Sequence, residues 1–315
     1  MESRPLTGRF APSPSGRMHL GNIFTAVLSW LSVKSRGGRW ILRIEDLDPM
    51  RSKREFSELI EDDLNWLGLD WDEGGLDGRG ERGPYCQSMR GSLYESALQT
   101  LDDKGLTYPC RCTRGELMAT NAPHLSDGRK VYGGMCRPAR LGGPYADVTD
   151  GRPVRATRLY VPDECVTFED GVFGAVTVDL GREIGDFVVR RGDGAWAYQL
   201  AVVVDDAMMG VTEVMRGCDL LLSAAQQIYI NGLLGYEAPR YVHLPLICNS
   251  EGQRLSKRDG SLNMEALRRD YSAEEILGRI GYMAGLTERP ERVALQQLTE
   301  MYDEKKIPAV ERIIV

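Results

Sequence analysis

Apolar residues recur at helical spacing soon after the N-terminus. Ile23, Phe24, Val27, Leu28 and Leu31 fall on one face of a predicted helix, with Asn22 as its N-cap and Gly37-Gly38 as its stop. Gly8-Arg9-Phe10-Ala11 reads as the end of a short strand. Between the two, Pro12, Pro14 and Gly16 forbid regular structure. From Arg39 to Asp48 the pattern alternates, with Trp40, Leu42 and Ile44 on one face of a second strand. Strand, helix, strand at this spacing predicts a βαβ unit and a parallel sheet. Phe56, Leu59, Ile60, Leu64 and Leu67 predict the next helix, opened by a Ser52–Glu55 capping box and ended by Gly68. Leu93, Ala97, Leu98 and Leu101 predict another, ended by Gly105.

Further along, the period changes. Pro153 to Leu180 alternates around a turn at Glu169-Asp170-Gly171 and predicts antiparallel strands. Asp186 to Arg191, Gly192-Asp193-Gly194 and Ala195 to Val204 read as a hairpin, with Tyr198 on its second strand and Asp205-Asp206 closing it. Leu220 to Leu234 is helical, ended by Gly235, and Arg216 stands just before its start. Tyr241 to Ile247 is a further strand. The residues from Ser261 on hold about three short helices.

Composition narrows the class. Of the 315 residues, 42% are hydrophobic and 27% charged, as in soluble globular proteins. No apolar run reaches membrane-spanning length, and the first residues lack the apolar core of a signal peptide, so a cytoplasmic enzyme is expected. The net charge of −7 argues against general nucleic-acid affinity, and an RNA partner would need a local basic surface. Seven cysteines without a secretory signal do not suggest a disulfide framework.

Three stretches carry chemistry. The rigid loop from Arg9 to Asn22 runs from a strand into a helix N-terminus, a geometry that aims backbone N–H groups at a phosphate. His19 adds a side-chain donor, and Gly21 allows a close backbone approach. Glu45 stands near the carboxyl end of the second strand, where parallel sheets bind ligands. Cys110, Cys112 and Cys136 are close enough to suggest tetrahedral Zn²⁺, with His124 the natural fourth ligand from the residues alone.

The spelling of these stretches is more specific than their geometry. Pro12-Ser13-Pro14-Ser15-Gly16, then His19-Leu20-Gly21-Asn22, resembles the HIGH signature of class I aminoacyl-tRNA synthetases. The closest form is that of the glutamate branch, R-F-A-P-S-P-T-G-x-x-H-x-G. Asn22 stands where the four-letter signature has its second histidine. Arg43-Ile44-Glu45-Asp46-Leu47-Asp48 resembles that branch's R-x-E-D-T/I-D segment. Arg254-Leu255-Ser256-Lys257-Arg258 resembles the second signature, KMSKS, in the form x-L-S-K-[RQ]. The resemblance covers nearly the whole chain. Cys110-x-Cys112 with Tyr132-x-x-x-Cys136 resembles the ligand pattern of the glutamyl-queuosine branch, which would make Tyr132 the fourth ligand of one structural zinc in place of His124.

The resemblance implies a Rossmann-like α/β catalytic domain, split as 1–105 and 186–260 around a zinc-containing insert at 106–185, with a short helical part at 261–315. It implies activation of L-glutamate by ATP with Mg²⁺, without tRNA, and transfer to the queuosine base of tRNA(Asp) by a cytoplasmic monomer. His19 and Lys257 would be catalytic. Arg9, Ala11, Ser13, Glu45, Tyr198 and Arg216 would bind glutamate. Pro12, Gly16, His19, Gly21, Asn22, Ser256 and Lys257 would bind ATP. Which arginine takes which carboxylate is left open. The chain runs about sixty residues past Lys257 (257 to 315), less than the anticodon-binding domain of full-length relatives would occupy. A truncated enzyme charging tRNA(Glu) and a non-catalytic RNA- or glutamate-binding paralogue are the alternatives.

Overall fold

Thr7–Phe10 is buried along its whole length and forms β1, in the middle of a seven-stranded sheet. The structure is a computed structural model and describes residues 4–119, 131–144, 151–253, 255 and 262–315. After β1 come α1 (Leu20–Lys34), β2 (Arg39–Leu42), α2 (Arg54–Trp66), β3 (Glu73–Gly74) and α3 (Gly91–Asp103). β4 (Thr107–Cys110), α4 (Arg114–Ala119), β5 (Ala156–Leu159), β6 (Cys165–Asp170), β7 (Gly174–Asp179) and β8 (Phe187–Arg191) follow. Next are α5 (Tyr198–Met208), β9 (Glu213–Gly217), α6 (Leu221–Leu234), β10 (Arg240–Leu244) and β11 (Leu246–Cys248). The chain then forms α7 (Met264–Asp270), α8 (Ala273–Met283), α9 (Leu295–Met301) and β12 (Arg312–Ile314).

The main sheet has the order β3-β2-β1-β9-β10-β6-β7. β1 and β2 are parallel in unbroken register from Thr7↔Arg39 to Phe10↔Leu42, as the βαβ reading requires. β9 is parallel to both β1 and β10. The chain therefore leaves β1 toward β2 on one side and later builds β9 and β10 on the other. The carboxyl ends of β1 and β9 flank that reversal, the place where open α/β sheets form a ligand crevice.

The predicted apolar face of α1 is the one buried: Ile23, Phe24, Val27, Leu28 and Leu31 are all 0–1% exposed. Each such side chain contributes about 1.5–3 kcal/mol on burial. Gly8 lets α1 approach this closely, because a Cβ there would run into Val33. The left-handed glycines Gly37, Gly68, Gly105 and Gly235 follow α1, α2, α3 and α6 as read from the sequence.

Several elements differ from their sequence reading. The segment from Ala195 to Val204 is not a strand: Tyr198 opens helix α5, and Arg190↔Trp196 is the only bridge on that stretch among the described residues. Leu200 to Val204 form a continuous buried run, and such a run has no period that separates strand from helix. The strand after α1 stops at Leu42, short of Asp48, leaving Ile44 in an isolated bridge to Cys86. Helix α2 starts at Arg54 from Lys53, with no side-chain cap from Ser52. The hairpin β6–β7 joins the main sheet through Tyr241↔Asp170, so residues 165–179 lie at its edge. β4, β5 and β8 form a separate antiparallel sheet. β12 pairs with β11, a long-range strand no local pattern revealed.

Candidate active site

A cleft of about 720 Å³ opens at the carboxyl ends of β1 and β9. It is lined by Arg9, Ala11, Pro12, Ser13, Gly16, His19, Asn22, Glu45, Tyr198, Arg216 and Leu255, among others. Two backbone hydrogen bonds lace its floor: Glu45 donates to the Pro12 carbonyl and Lys53 to that of Pro14, each at 3.0 Å. The proline loop is thereby held against the segment after β2. Ser256, Lys257 and His124 lie outside the described residues. Leu255 is buried at the cleft, and its N–H donates to the Ile247 carbonyl on β11.

The start of α1 corrects the expected cap. His19, not Asn22, is the N-cap. Its Nδ1 accepts from the Gly21 N–H at 3.1 Å, and Asn22 Oδ1 accepts from the His19 N–H at 3.1 Å. Asn22 therefore closes a reciprocal capping box two residues inside the helix. An acceptor Nδ1 places the proton of a neutral ring on Nε2, the nitrogen that can donate to an anion. Gly21 stands behind the ring and does not line the cleft. A Cβ there would come within 3.1 Å of the imidazole, so a glycine at this position leaves room for the cap.

Opposite, charge is concentrated and buried. Arg43 Nη1 donates to Asp206 Oδ1 at 2.6 Å, and its Nη2 donates to Glu45 Oε1 at 3.3 Å. Arg9 Nε lies 3.4 Å from Asp206 Oδ1, and its Nη1 donates to the Met215 carbonyl at 3.3 Å. Asp205 accepts from Gln87 Nε2 at 2.7 Å, from the Tyr94 hydroxyl and from Arg90. Burial works against the charge on Asp206, but Arg43 and Arg9 outweigh it and hold its carboxyl below the usual range. For Asp205 burial wins over Arg43 and Arg90 and pushes the carboxyl up. Glu45 is also pushed up, by burial against the pull of Arg43 and Arg9. Burial raises Tyr198 as well, so its hydroxyl stays a donor. Arg216 lies within the same wall, with Nη1 donating to Gln227 Oε1 at 2.8 Å. Of these groups Arg9, Arg216 and Glu45 line the cleft, two cations and a carboxylate suited to a small acidic ligand carrying an ammonium.

Sequence reasoning missed Asp205 and Asp206 as parts of this wall. Two acids inside a Val/Leu/Ala run were the signal, because carboxylates in such a run are buried only when paired. Breaking one such buried pair typically costs about 3–5 kcal/mol.

A second cluster lies at the end of β4. The Sγ atoms of Cys110, Cys112 and Cys136 all lie within 4.8 Å of one another. Cys112 and Cys136 are 3.4 Å apart, far beyond the ~2.05 Å of a disulfide. The Tyr132 hydroxyl is 3.7 Å from the sulfurs of both Cys110 and Cys112 and accepts from the Cys136 N–H at 2.7 Å. The Arg158 guanidinium lies over the Tyr132 ring at 3.6 Å. Burial disfavours the Cys110 thiolate, but Arg158 outweighs it and brings the thiol below its ordinary value. Three converging thiols make a donor set that could bind a metal.

Parallel sheet, reversal-point cleft and signature loops together define a class I synthetase. The chain matches the family of class I tRNA synthetases (E and Q), catalytic domain, over residues 5–308, and belongs to it. It is an enzyme of the ligase class, and membership implies use of ATP. The chain is 46% identical over 306 residues to the Glutamyl-Q tRNA(Asp) synthetase of Symbiobacterium thermophilum, covering 96% of this chain and 94% of that one. It is 45% identical over 283 residues to the protein of that name from Nitratidesulfovibrio vulgaris, covering 89% and 87%. Among solved structures, it is similar to a glutamate tRNA ligase from Elizabethkingia meningosepticum in complex with its amino acid. The TM-score is 0.82 at 27% identity, covering 98% of this chain and 67% of that one. No helix among the described residues is long and apolar enough to cross a membrane.

Proposed function

We propose that the protein activates L-glutamate with ATP, needs no tRNA for this step, and transfers the glutamyl group to the queuosine base at the wobble position of tRNA(Asp). The likeness to the two Glutamyl-Q tRNA(Asp) synthetases supports the transfer, and the observation that carries the choice of glutamate is the placement of Arg9 and Arg216 at the ends of adjacent strands, with Glu45 and Tyr198 lining the same cleft. Planar guanidinium matches carboxylate bidentately, so the two arginines suit the two carboxylates of glutamate. Glu45 receives the α-ammonium, and Tyr198 donates a hydrogen bond. Ala11 and Ser13 shape the amino-acid side of the loop.

In the reaction, a glutamate α-carboxylate oxygen attacks the α-phosphorus of ATP and pyrophosphate leaves. A hydroxyl of the cyclopentene diol of queuosine then attacks the glutamyl carbonyl, and AMP leaves with the bonding pair. The protein's part in the first step is positioning and charge stabilisation. His19 Nε2 and the N-terminus of α1 face the phosphates, with Pro12, Gly16 and Asn22 around them. Ser256 and Lys257 approach the β- and γ-phosphates, and Mg²⁺ arrives with the nucleotide. Glutamate-dependent ATP–pyrophosphate exchange tests the first step. Exchange is expected with glutamate alone, and its absence in folded protein would favour a non-catalytic paralogue.

We also propose one structural zinc on Cys110, Cys112, Cys136 and Tyr132. When bound, the metal supplies a fixed cross-link between β4 and the 132–136 loop. Elemental analysis is expected to give one zinc per chain, and Cys110→Ser should lose both the metal and thermal stability. Tyr132→Phe should loosen the metal, whereas His124→Ala should not. The reverse pattern would make His124 the fourth ligand.

A further inference from the structure

Arg216, His243 and Asp170 occupy three neighbouring strands and are joined through their side chains. β9 and β10 run parallel with Arg216 opposite His243, and β10 meets β6 with Tyr241 opposite Asp170. Arg216 Nε donates to His243 Nε2 at 3.2 Å, and His243 Nδ1 lies 2.6 Å from Asp170 Oδ2. The side chains of His243 and Asp170 are 0% exposed, and Arg216 is 5% exposed.

The chemistry of the partners fixes the protons. A guanidinium has only donors, so Nε2 must accept, and the ring proton sits on Nδ1 and is donated to Asp170. Asp170 is held in turn. Its Oδ1 accepts from the N–H groups of Val172 and Phe173 at 3.0 Å each, and its Oδ2 from the His243 N–H at 3.1 Å. The hairpin turn thus holds the carboxylate, the carboxylate holds the ring, and the ring holds the Nε edge of Arg216. Gln227 and the Leu220 carbonyl take the guanidinium's other nitrogens.

We propose that Asp170 and His243 are positioning residues that set the orientation of Arg216, and through it the affinity for the glutamate carboxylate. This rests on the reading of Arg216 as a glutamate ligand. Beside the Tyr241 ring, 5.2 Å from the guanidinium carbon, His243 supplies the hydrogen bond at the Nε edge of Arg216. An arginine free to swing would lose that freedom on each binding event, whereas a held one does not. The groups facing the ring are Asp170 from β6, Arg216 from β9, the Leu220 carbonyl before α6 and the Tyr241 ring on its own strand. Burial and the Arg216 charge oppose protonation of His243, and the ring stays below its ordinary pKa despite Asp170. A proton on Nε2 would set donor against donor and cation against cation at Arg216.

The test is exchange kinetics on the full chain, with thermal unfolding measured in parallel. His243→Leu is expected to raise the KM for glutamate on the order of tenfold or more and leave the KM for ATP unchanged. His243→Gln, whose carbonyl can still accept from Arg216, should recover most of that affinity. A folded His243→Leu protein with wild-type KM for glutamate, or with both KM values raised equally, would overturn the relay. Arg216→Lys separates the two readings: an unchanged KM for glutamate there would remove Arg216 from the substrate site. ¹⁵N NMR of the three-histidine wild-type chain keeps the relay testable if the variants do not fold. His243 should show a protonated Nδ1 and a bare Nε2, and the opposite tautomer would overturn the relay.

Discussion

Replacing Lys257 by alanine is expected to lower glutamate-dependent ATP–pyrophosphate exchange by about 10²–10³-fold, the typical loss when one transition-state charge stabiliser is removed. The reason is where charge develops. As the α-phosphorus is attacked, negative charge accumulates on the departing pyrophosphate, and a lysine ammonium can follow it as a compact point charge. The segment leading to this residue is rooted in the fold. β11 pairs with β12, Leu255 returns to the Ile247 carbonyl, and the Leu255 side chain is buried at the cleft. Glutamate binding should change little, because the groups assigned to it lie on β1, β9, α5 and the segment after β2. The loss should therefore appear in kcat with the KM for glutamate nearly constant, the signature of an interaction made in the transition state. Unchanged exchange would remove Lys257, and the second signature with it, from the chemistry.

How much of this was legible in the sequence varies with the range of the interaction. The first βαβ unit was readable because Ile23 to Leu31 keep a helical period and the stretch from Trp40 an alternating one, with glycines as stops. Local chemistry was readable too: the proline loop into a helix N-terminus, and the cysteine spacing. What failed was of two kinds. In α5, a run buried along one continuous stretch carries no period, so strand and helix look alike until Tyr198 is seen opening a helix. At the start of α1, His19 took the cap because its imidazole accepts from the Gly21 N–H while the Asn22 side chain accepts from the His19 N–H. The other failures are long-range. Asp170 and His243 are 73 residues apart and meet only because the sheet places β6 beside β10. Arg43 finds Asp206 across 163 residues. β12 reaches β11 from beyond α7, α8 and α9. Pairings of this kind are set by topology, and no local pattern encodes them.

The proposed acceptor would distinguish this enzyme from one that charges a tRNA 3′ end. An anticodon loop presents splayed bases that a protein can read directly, and sequence-specific RNA recognition usually works on such single-stranded loops. The queuosine diol resembles the ribose diol that synthetases esterify, so one glutamyl-adenylate serves either acceptor with the same bond changes. With a net charge of −7, the RNA contact must come from local basic groups and should weaken as salt rises. The most direct measurement is transfer of labelled glutamate from the enzyme to tRNA(Asp) prepared with and without queuosine, with tRNA(Glu) alongside. Label is expected on queuosine-containing tRNA(Asp) alone and should persist when the 3′-terminal adenosine has been removed. Label on unmodified tRNA(Asp) or on tRNA(Glu), or its loss on removal of the 3′-terminal adenosine, would contradict transfer to queuosine.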